Sequence, residues 1–352
     1  MKKKCMLFLS CITILIGLTV LSGCNSDKVV LNIFNWGEYI DPELLVKFEK
    51  ETGIRVNQDL FETNEHMLAK LEGGGSYYDV IFPSDYVIEE MIKKDMLQKI
   101  DFNNVPNFKY VGDRFKNLNY DPTNEYSVPY FWGTLGILYN TEMVDEEVDS
   151  WDILWDEKYA GQILMLDSMR DTIGVALRKL GYSVNTTDPE ILEQAKNLLI
   201  QQKPLVNGYY VDEIKDMMIN GDAALALNWS GSAMDIYWEG ADYIKFVVPK
   251  EGANLWFDCM VIPKTSKHKK EAEMFINFML DPENAYQNSL YVGYVSPVTE
   301  AFERIMQENP EIADMDAYNP SDEVLDNCEV FIDLGDARPL FNNVWTEKKY
   351  AE

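Results

Sequence analysis

Short apolar runs of β character alternate with well-capped helical segments through the first third of the chain. Val29 to Phe34 reads as a strand that leads into Trp36. Asp41 is a strong N-cap, Pro42 suits the first helical position and Gly53 stands just past the end, which predicts a helix with Leu44, Leu45 and Phe48 on its buried face. Ile54-Arg55-Val56 starts a second strand, and a helix over Glu65 to Leu71 runs into Gly73-Gly74-Gly75. Asp79 to Phe82 is a short apolar strand, and Pro83-Ser84-Asp85-Tyr86 opens a helix reaching about Met96. A βαβαβα order predicts an α/β fold whose largely parallel sheet is covered on both faces. Ligands of such sheets bind beyond the carboxyl ends of the strands, where Trp36 to Tyr39 and Ser84 to Tyr86 both fall.

From Tyr126 to Tyr139 the chain is a long β run, and its two glycines predict a sharp bend or a crossover. A second alternating region follows. Ile163 to Asp167, Ala223 to Trp229 and Ile244 to Val248 read as strands, and Asp171 to Leu180 and Gly231 to Trp238 as helices. Trp256 to Ile262 is again strand-like and suited to crossing back, and helices dominate from Lys269 onward. There is no repeat, low-complexity tract or long linker. Two lobes joined by crossing strands fit this order, one from residues 28–136 and 260–304, the other from 137–259 and 305–352.

The N-terminus bears on the compartment. Lys2, Lys3 and Lys4 precede an apolar stretch from Cys5 to Val20, which ends in Leu21-Ser22-Gly23-Cys24. This is the layout of a secretory signal over residues 1–23, and the apolar run is shorter than the ~20 residues of a membrane span. The ending resembles the bacterial lipobox, which implies a lipid anchor on Cys24; an uncleaved N-terminal anchor is the alternative and leaves the domain on the same side of the membrane. After cleavage about 330 residues remain, enough for two cores. Cys259 and Cys328 are then the remaining cysteines, far apart in sequence; a disulfide between them is open on geometry, and two separate thiols are the favoured reading. His66 and His268 have no ligand-spaced partner, so no metal is expected, and nothing calls for a cofactor. A formal net charge of -28 argues against nucleic acid and against docking on an anionic surface. The same charge is compatible with a cationic guest, although solubility alone accounts for it equally well.

The chemistry-bearing segments are Asn35-Trp36-Gly37-Glu38-Tyr39 and Trp256-Phe257-Asp258. Both set aromatic rings beside a carboxylate, a combination suited to an organic cation. At this point the chain resembles the solute-binding lipoproteins of ATP-driven polyamine importers. The resemblance is carried by Phe34-Asn35-Trp36-Gly37-Glu38-Tyr39, Lys50-Glu51-Thr52-Gly53-Ile54, Tyr78-Asp79-Val80-Ile81-Phe82-Pro83-Ser84, Ser127-Val128-Pro129-Tyr130-Phe131-Trp132-Gly133, Ala176-Leu177-Arg178-Lys179-Leu180-Gly181-Tyr182-Ser183, Trp229-Ser230-Gly231-Ser232-Ala233 and Val247-Val248-Pro249-Lys250-Glu251-Gly252. It implies a type II periplasmic-binding-protein fold, two lobes closing on a ligand, with membrane permease subunits as partners and no oligomer required. Residue by residue it implies that Trp36, Tyr39, Tyr86, Trp229, Trp256 and Tyr294 surround the methylene chain. Glu38, Asp258 and Asp171 would meet ammonium groups, and Ser84 would line the cleft. Ser168 stands where better-known members carry aspartate, Gly37 replaces a small hydroxyl residue, and Phe331 falls where a glutamine is expected. One carboxylate fewer weighs against trivalent spermidine and leaves divalent putrescine open.

Each residue also has a purely structural reading. Glu38 suits a helix start, Ser84 an N-cap, and Asp171 a cap of the helix that follows. Asp258, inside a strand, needs a partner in any case. Trp132, Trp151, Trp155, Trp238 and Trp345 read as packing, and Lys267 to Lys270 as a solvated helix start. No GxSxG, HExxH or phosphate loop is present, so catalysis is not expected. A glycan-active enzyme is the rival from another class, because clefts of rings and acids also hold sugars. A same-fold protein for another small solute is the nearer rival, but the candidate cleft residues include no neutral amide and no arginine.

Overall fold

The computed structural model describes residues 29–74 and 77–351. In chain order its first elements are β1 (Val30–Trp36), α1 (Pro42–Thr52), β2 (Arg55–Phe61), α2 (Asn64–Glu72), β3 (Val80–Ile81), α3 (Asp85–Lys93) and β4 (Ser127–Asn140). Then come β5 (Ile163–Leu166), α4 (Met169–Lys179), α5 (Pro189–Gln202), β6 (Val206–Tyr210), α6 (Glu213–Ile219), β7 (Leu225–Trp229), α7 (Ser230–Trp238), β8 (Ile244–Val247) and β9 (Leu255–Val261). Helices α8 (Lys269–Met279), α9 (Pro282–Val292), α10 (Thr299–Glu308), α11 (Asp322–Asp326) and α12 (Arg338–Tyr350) complete it.

Helix α1 forms for the reasons its sequence gives. The Asp41 carboxylate accepts the Glu43 amide at 2.9 Å, and Gly53, at φ 75°, donates back to the Glu49 carbonyl. Leu44 and Phe48 are fully buried, Leu45 only partly, and Phe48 meets Phe275 and Phe278 edge to face at 5.2 and 5.3 Å. Burying each such side chain contributes about 1.5–3 kcal/mol.

The strand order is β2-β1-β3-β9-β4-β7-β5-β6, with β8 also on β4. Pairs β1·β2, β1·β3, β5·β6 and β5·β7 are parallel, whereas β4 and β9 run antiparallel to their neighbours. The sheet is therefore mixed rather than largely parallel, because, of the two crossing strands, β9 runs against the first half and β4 against the second. Strand β4 serves both: Ser127 to Thr134 pairs β9 and Leu135 to Tyr139 pairs β7. Gly133 and Gly136 do not bend it, and β4 stays one strand of 14 residues. A Cβ on Gly133 would lie 2.6 Å from the Trp256 ring, and one on Gly136 2.3 Å from the Phe246 ring. These glycines admit large rings from neighbouring strands.

Cys259 and Cys328 are both free thiols. Trp132 and Trp151 are buried as expected, but Trp238 is 36% exposed, since it ends α7 on the outer surface. Lys269 pairs with Glu273 one turn along α8. The signal segment and Cys24 lie outside the described residues. Among those described, no helix is long and apolar enough to cross a membrane, and no group of His, Cys, Asp and Glu is arranged to hold a metal.

Candidate functional site

The candidate residues lie at or just beyond the carboxyl ends of the parallel strands of both halves. Strand β1 delivers Trp36 and Tyr39, β3 delivers Ser84 and Tyr86, β5 leads to Ser168 and Asp171, and β7 ends in Trp229. Strand β9 crosses between the halves and carries Trp256 and Asp258 on one face, two residues apart, so about 7 Å separates their positions along the strand.

Asp258 is the centre of the first cluster. It is 6% exposed, and its two oxygens accept from Tyr39 Oη and Ser84 Oγ, each at 2.6 Å. Ser84 stands at the N-cap position of α3 but makes no capping bond, because its hydroxyl is committed to Asp258. Asn64 holds Ser84 from behind through its Nδ2 at 3.0 Å, and the same Nδ2 reaches the Tyr86 hydroxyl at 3.2 Å. Tyr86 donates in turn to Glu65 at 3.2 Å. The Tyr39 carbonyl accepts from Tyr130 Oη at 2.6 Å, which fixes the loop after Trp36. Burial pushes the Asp258 carboxyl up to about 6, against the pull of the Ser84 and Tyr39 hydroxyls. Burial likewise raises the Tyr39 and Tyr294 phenols, with the Asp258 charge adding to each.

The rings close around this carboxylate. Tyr294 meets Trp256 edge to face at 5.1 Å and Tyr39 at 5.5 Å. Its ring occupies the space of the absent side chain at Gly231, where a Cβ would lie 1.9 Å from it. Trp36 anchors its indole N–H on the Phe82 carbonyl at 2.8 Å and leans on Phe61, leaving part of the ring uncovered.

Asp171 organises the second cluster from the other half. It sits in the first turn of α4 and is buried; it accepts from Ser168 Oγ at 2.7 Å and from Asn254 Nδ2 at 3.4 Å. Burial raises this carboxyl too, and Ser168, Asn254, Arg170 and Trp229 oppose the rise. Among the described residues, neither Asp171 nor Asp258 forms an ion pair with Lys, Arg or His. Asp167, next to Ser168, points away and pairs with Lys349 at 2.7 Å. Glu38 differs from these acids: it is exposed on the Gly37-Glu38 turn, at φ 48°. Across from it stands Asp212, whose carboxyl is raised by burial and then by the charges of Glu38, Glu213 and Glu62.

Four participants were not singled out from the sequence: Asn64, Tyr130, Arg170 and Asn254. The cleft therefore does contain neutral amides and borders an arginine. The buried Arg170 guanidinium lies 5.2 Å from the Tyr86 ring centre and 4.3 Å from that of Phe331, and bonds the Ile332 carbonyl at 3.1 Å. It is committed to the wall rather than offered to a carboxylate guest. Asn254 was legible from the two-residue alternation with Trp256 and Asp258. Asn64, Tyr130 and Arg170 act through contacts across long stretches of sequence, for which no local signal exists.

The arrangement is suited to holding a cation. Two desolvated carboxylates, with no ion-pair partner among the described residues, lie among aromatic side chains. Residues 43–315 match the family model for a bacterial extracellular solute-binding protein. The spermidine/putrescine-binding periplasmic protein of Escherichia coli K12 is 38% identical over 325 residues, 92% of each chain. A putrescine-binding periplasmic protein of Pseudomonas aeruginosa is 33% identical, over 92% of this chain and 93% of its own. A spermidine/putrescine ABC transporter substrate-binding protein from Streptococcus pneumoniae, solved by crystallography, superimposes with a TM-score of 0.77 at 41% identity, over 91% of this chain and all of that one. A solved Listeria monocytogenes structure reaches a TM-score of 0.87 at 44% identity, over 92% of this chain and 99% of its own.

Proposed function

The chain belongs to the bacterial extracellular solute-binding proteins, and from that premise we propose that its solute is a polyamine, held between Asp258 and Asp171 and delivered to an ATP-driven importer. The observation that carries this reading is Asp258: a buried carboxylate with two hydroxyl donors, no cation partner among the described residues, and rings around it. A polyamine has charged nitrogens joined by short methylene spacers. Asp258 and Asp171 supply acceptors for the nitrogens. Trp256, Tyr294, Tyr39 and Tyr86 cover the methylenes, with Trp36 and Trp229 at the margins. Cation–π contacts contribute about 0.5–2 kcal/mol each, according to exposure. Ser84 orients Asp258, and Glu38 attracts the cation at the rim.

The relatives named above are binding proteins rather than enzymes, and their described ligands are polyamines. In this reading the two lobes close over the ligand, and the closed monomer meets a permease pair in the membrane. The chain is held at the membrane by a lipid on Cys24. Melting curves test the ligand. A polyamine in large excess over its Kd should raise Tm, since a ligand at a hundred times Kd stabilises by about 2.7 kcal/mol. Sugars and neutral amino acids should leave it unchanged, and a shift with those alone would point to the rival solute. Mass spectrometry of the mature N-terminus tests the anchor, which requires an acylated Cys24.

A further inference from the structure

Asn254 directly precedes β9, and its backbone continues the strand: its carbonyl accepts the Leu135 amide at 3.0 Å and it bridges to Glu329. Alternation along an extended chain puts Asn254 on the same face as Trp256 and Asp258, the face that lines the cleft. Its side chain is 4% exposed. The Nδ2 group is used on Asp171, at 3.4 Å, but Oδ1 is buried with no hydrogen-bond partner. Buried amide oxygens are normally paired, and leaving one unpaired carries a desolvation cost that an apolar residue of the same size would avoid. The oxygen also lies beside a carboxylate whose donors, among the described residues, are Ser168, Asn254 and Trp229. This end of the cleft is thus rich in acceptors and short of hydrogens. A terminal primary ammonium supplies three N–H donors from one atom and answers both deficits at once.

We propose that Asn254 is a ligand-binding residue whose Oδ1 accepts a hydrogen bond from the terminal primary ammonium held by Asp171, an assignment that rests on the polyamine reading above. It explains why an amide occupies a buried strand position between apolar neighbours, and it places three recognition groups in a row along β9: amide, indole and carboxylate.

The test compares the wild-type protein with Asn254→Leu by calorimetric titration of putrescine and of spermidine, together with melting of each ligand-free protein. Asn254→Leu should bind each polyamine about tenfold more weakly, while its ligand-free Tm changes little, because loss of the long 3.4 Å hydrogen bond to Asp171 is offset by removal of an unpaired buried oxygen. Should Asn254→Leu not fold, Asn254→Ser, which keeps a shorter acceptor, should fold and lose several-fold in affinity. Wild-type binding with unchanged affinity in the variant would overturn the assignment alone. A lowered ligand-free Tm with unchanged affinity would show Asn254 to be structural and would overturn it as well. No wild-type binding would overturn the polyamine reading and the assignment with it.

Discussion

At the scale of single residues, Asp258 determines how the site responds to pH. Its folded-state value of about 6 lies above the ordinary carboxyl value of 3.8, and burial is the chief cause. A raised value means that the folded, ligand-free protein holds the proton more tightly than the unfolded chain. Its contribution to stability is full below the unfolded value and is lost as pH rises through about 6. Ligand binding has the opposite sign, because an ammonium group favours the ionised form. Polyamine affinity should therefore be flat above pH 7 and fall by up to tenfold per unit below about pH 6. Asp258→Asn should reduce this fall to what Asp171 alone contributes, weaken binding at pH 7 by tenfold or more, and raise the ligand-free Tm. Titrations across the pH range check all three, and a wild-type affinity independent of pH between 5 and 7 would remove Asp258 from the contact.

At the scale of elements, much of the fold was open to direct reading. The Asp-Pro start that marks α1 recurs at Asp188-Pro189 and Asp281-Pro282, and both of those aspartates cap helices in the same way. The end of β7 at Trp229 matches the reading, whereas β1 runs two residues past Phe34, to Trp36, and β3 stops at Ile81, one residue short of Phe82. The direction of β4 and β9 was not legible, since strand direction depends on the partner and not on the strand. Of the bend or crossover expected around the two glycines of β4, the crossover holds and the bend does not; what the glycines themselves do is set by Trp256 and Phe246 in neighbouring strands. For the candidate site, aromatic and acidic residues were visible one by one, but the Asn64 and Tyr130 supports come from elsewhere in the chain. Gly133 offers a test at this scale. Gly133→Val would press on Trp256, a form of overpacking that typically costs 1–3 kcal/mol. Its Tm should drop and its polyamine affinity should fall with it. Melting and titration of this variant would contradict the packing role if both stayed at wild-type values.

Across the whole molecule, the two sides of the cleft carry opposite charge relations. On one side, α3 meets the segment leading into α12, which itself packs on α4 and α5. There Glu90 pairs with Arg338, Lys93 pairs with Asp333 at 3.1 Å, and Glu89 accepts the Asp333 amide at 2.9 Å. On the other side Glu38 and Asp212 oppose each other as like charges. If the lobes close on a polyamine as proposed, the first contact favours closure without a ligand and the second resists it until a cation arrives. Partly exposed ion pairs are worth about 0–1 kcal/mol, so Arg338→Met should weaken polyamine binding by no more than about fivefold. It should also reduce compaction of the ligand-free protein in small-angle scattering. A scattering profile identical to wild type would show that these pairs do not bias closure.

Isothermal titration of the soluble protein with putrescine and spermidine, with glucose and glutamate as controls, bears most directly on the central reading. One polyamine per chain should bind with micromolar or tighter affinity, its affinity should fall at high salt, and the controls should give no heat. Saturable heat from glucose or glutamate, with none from either polyamine, would contradict the reading.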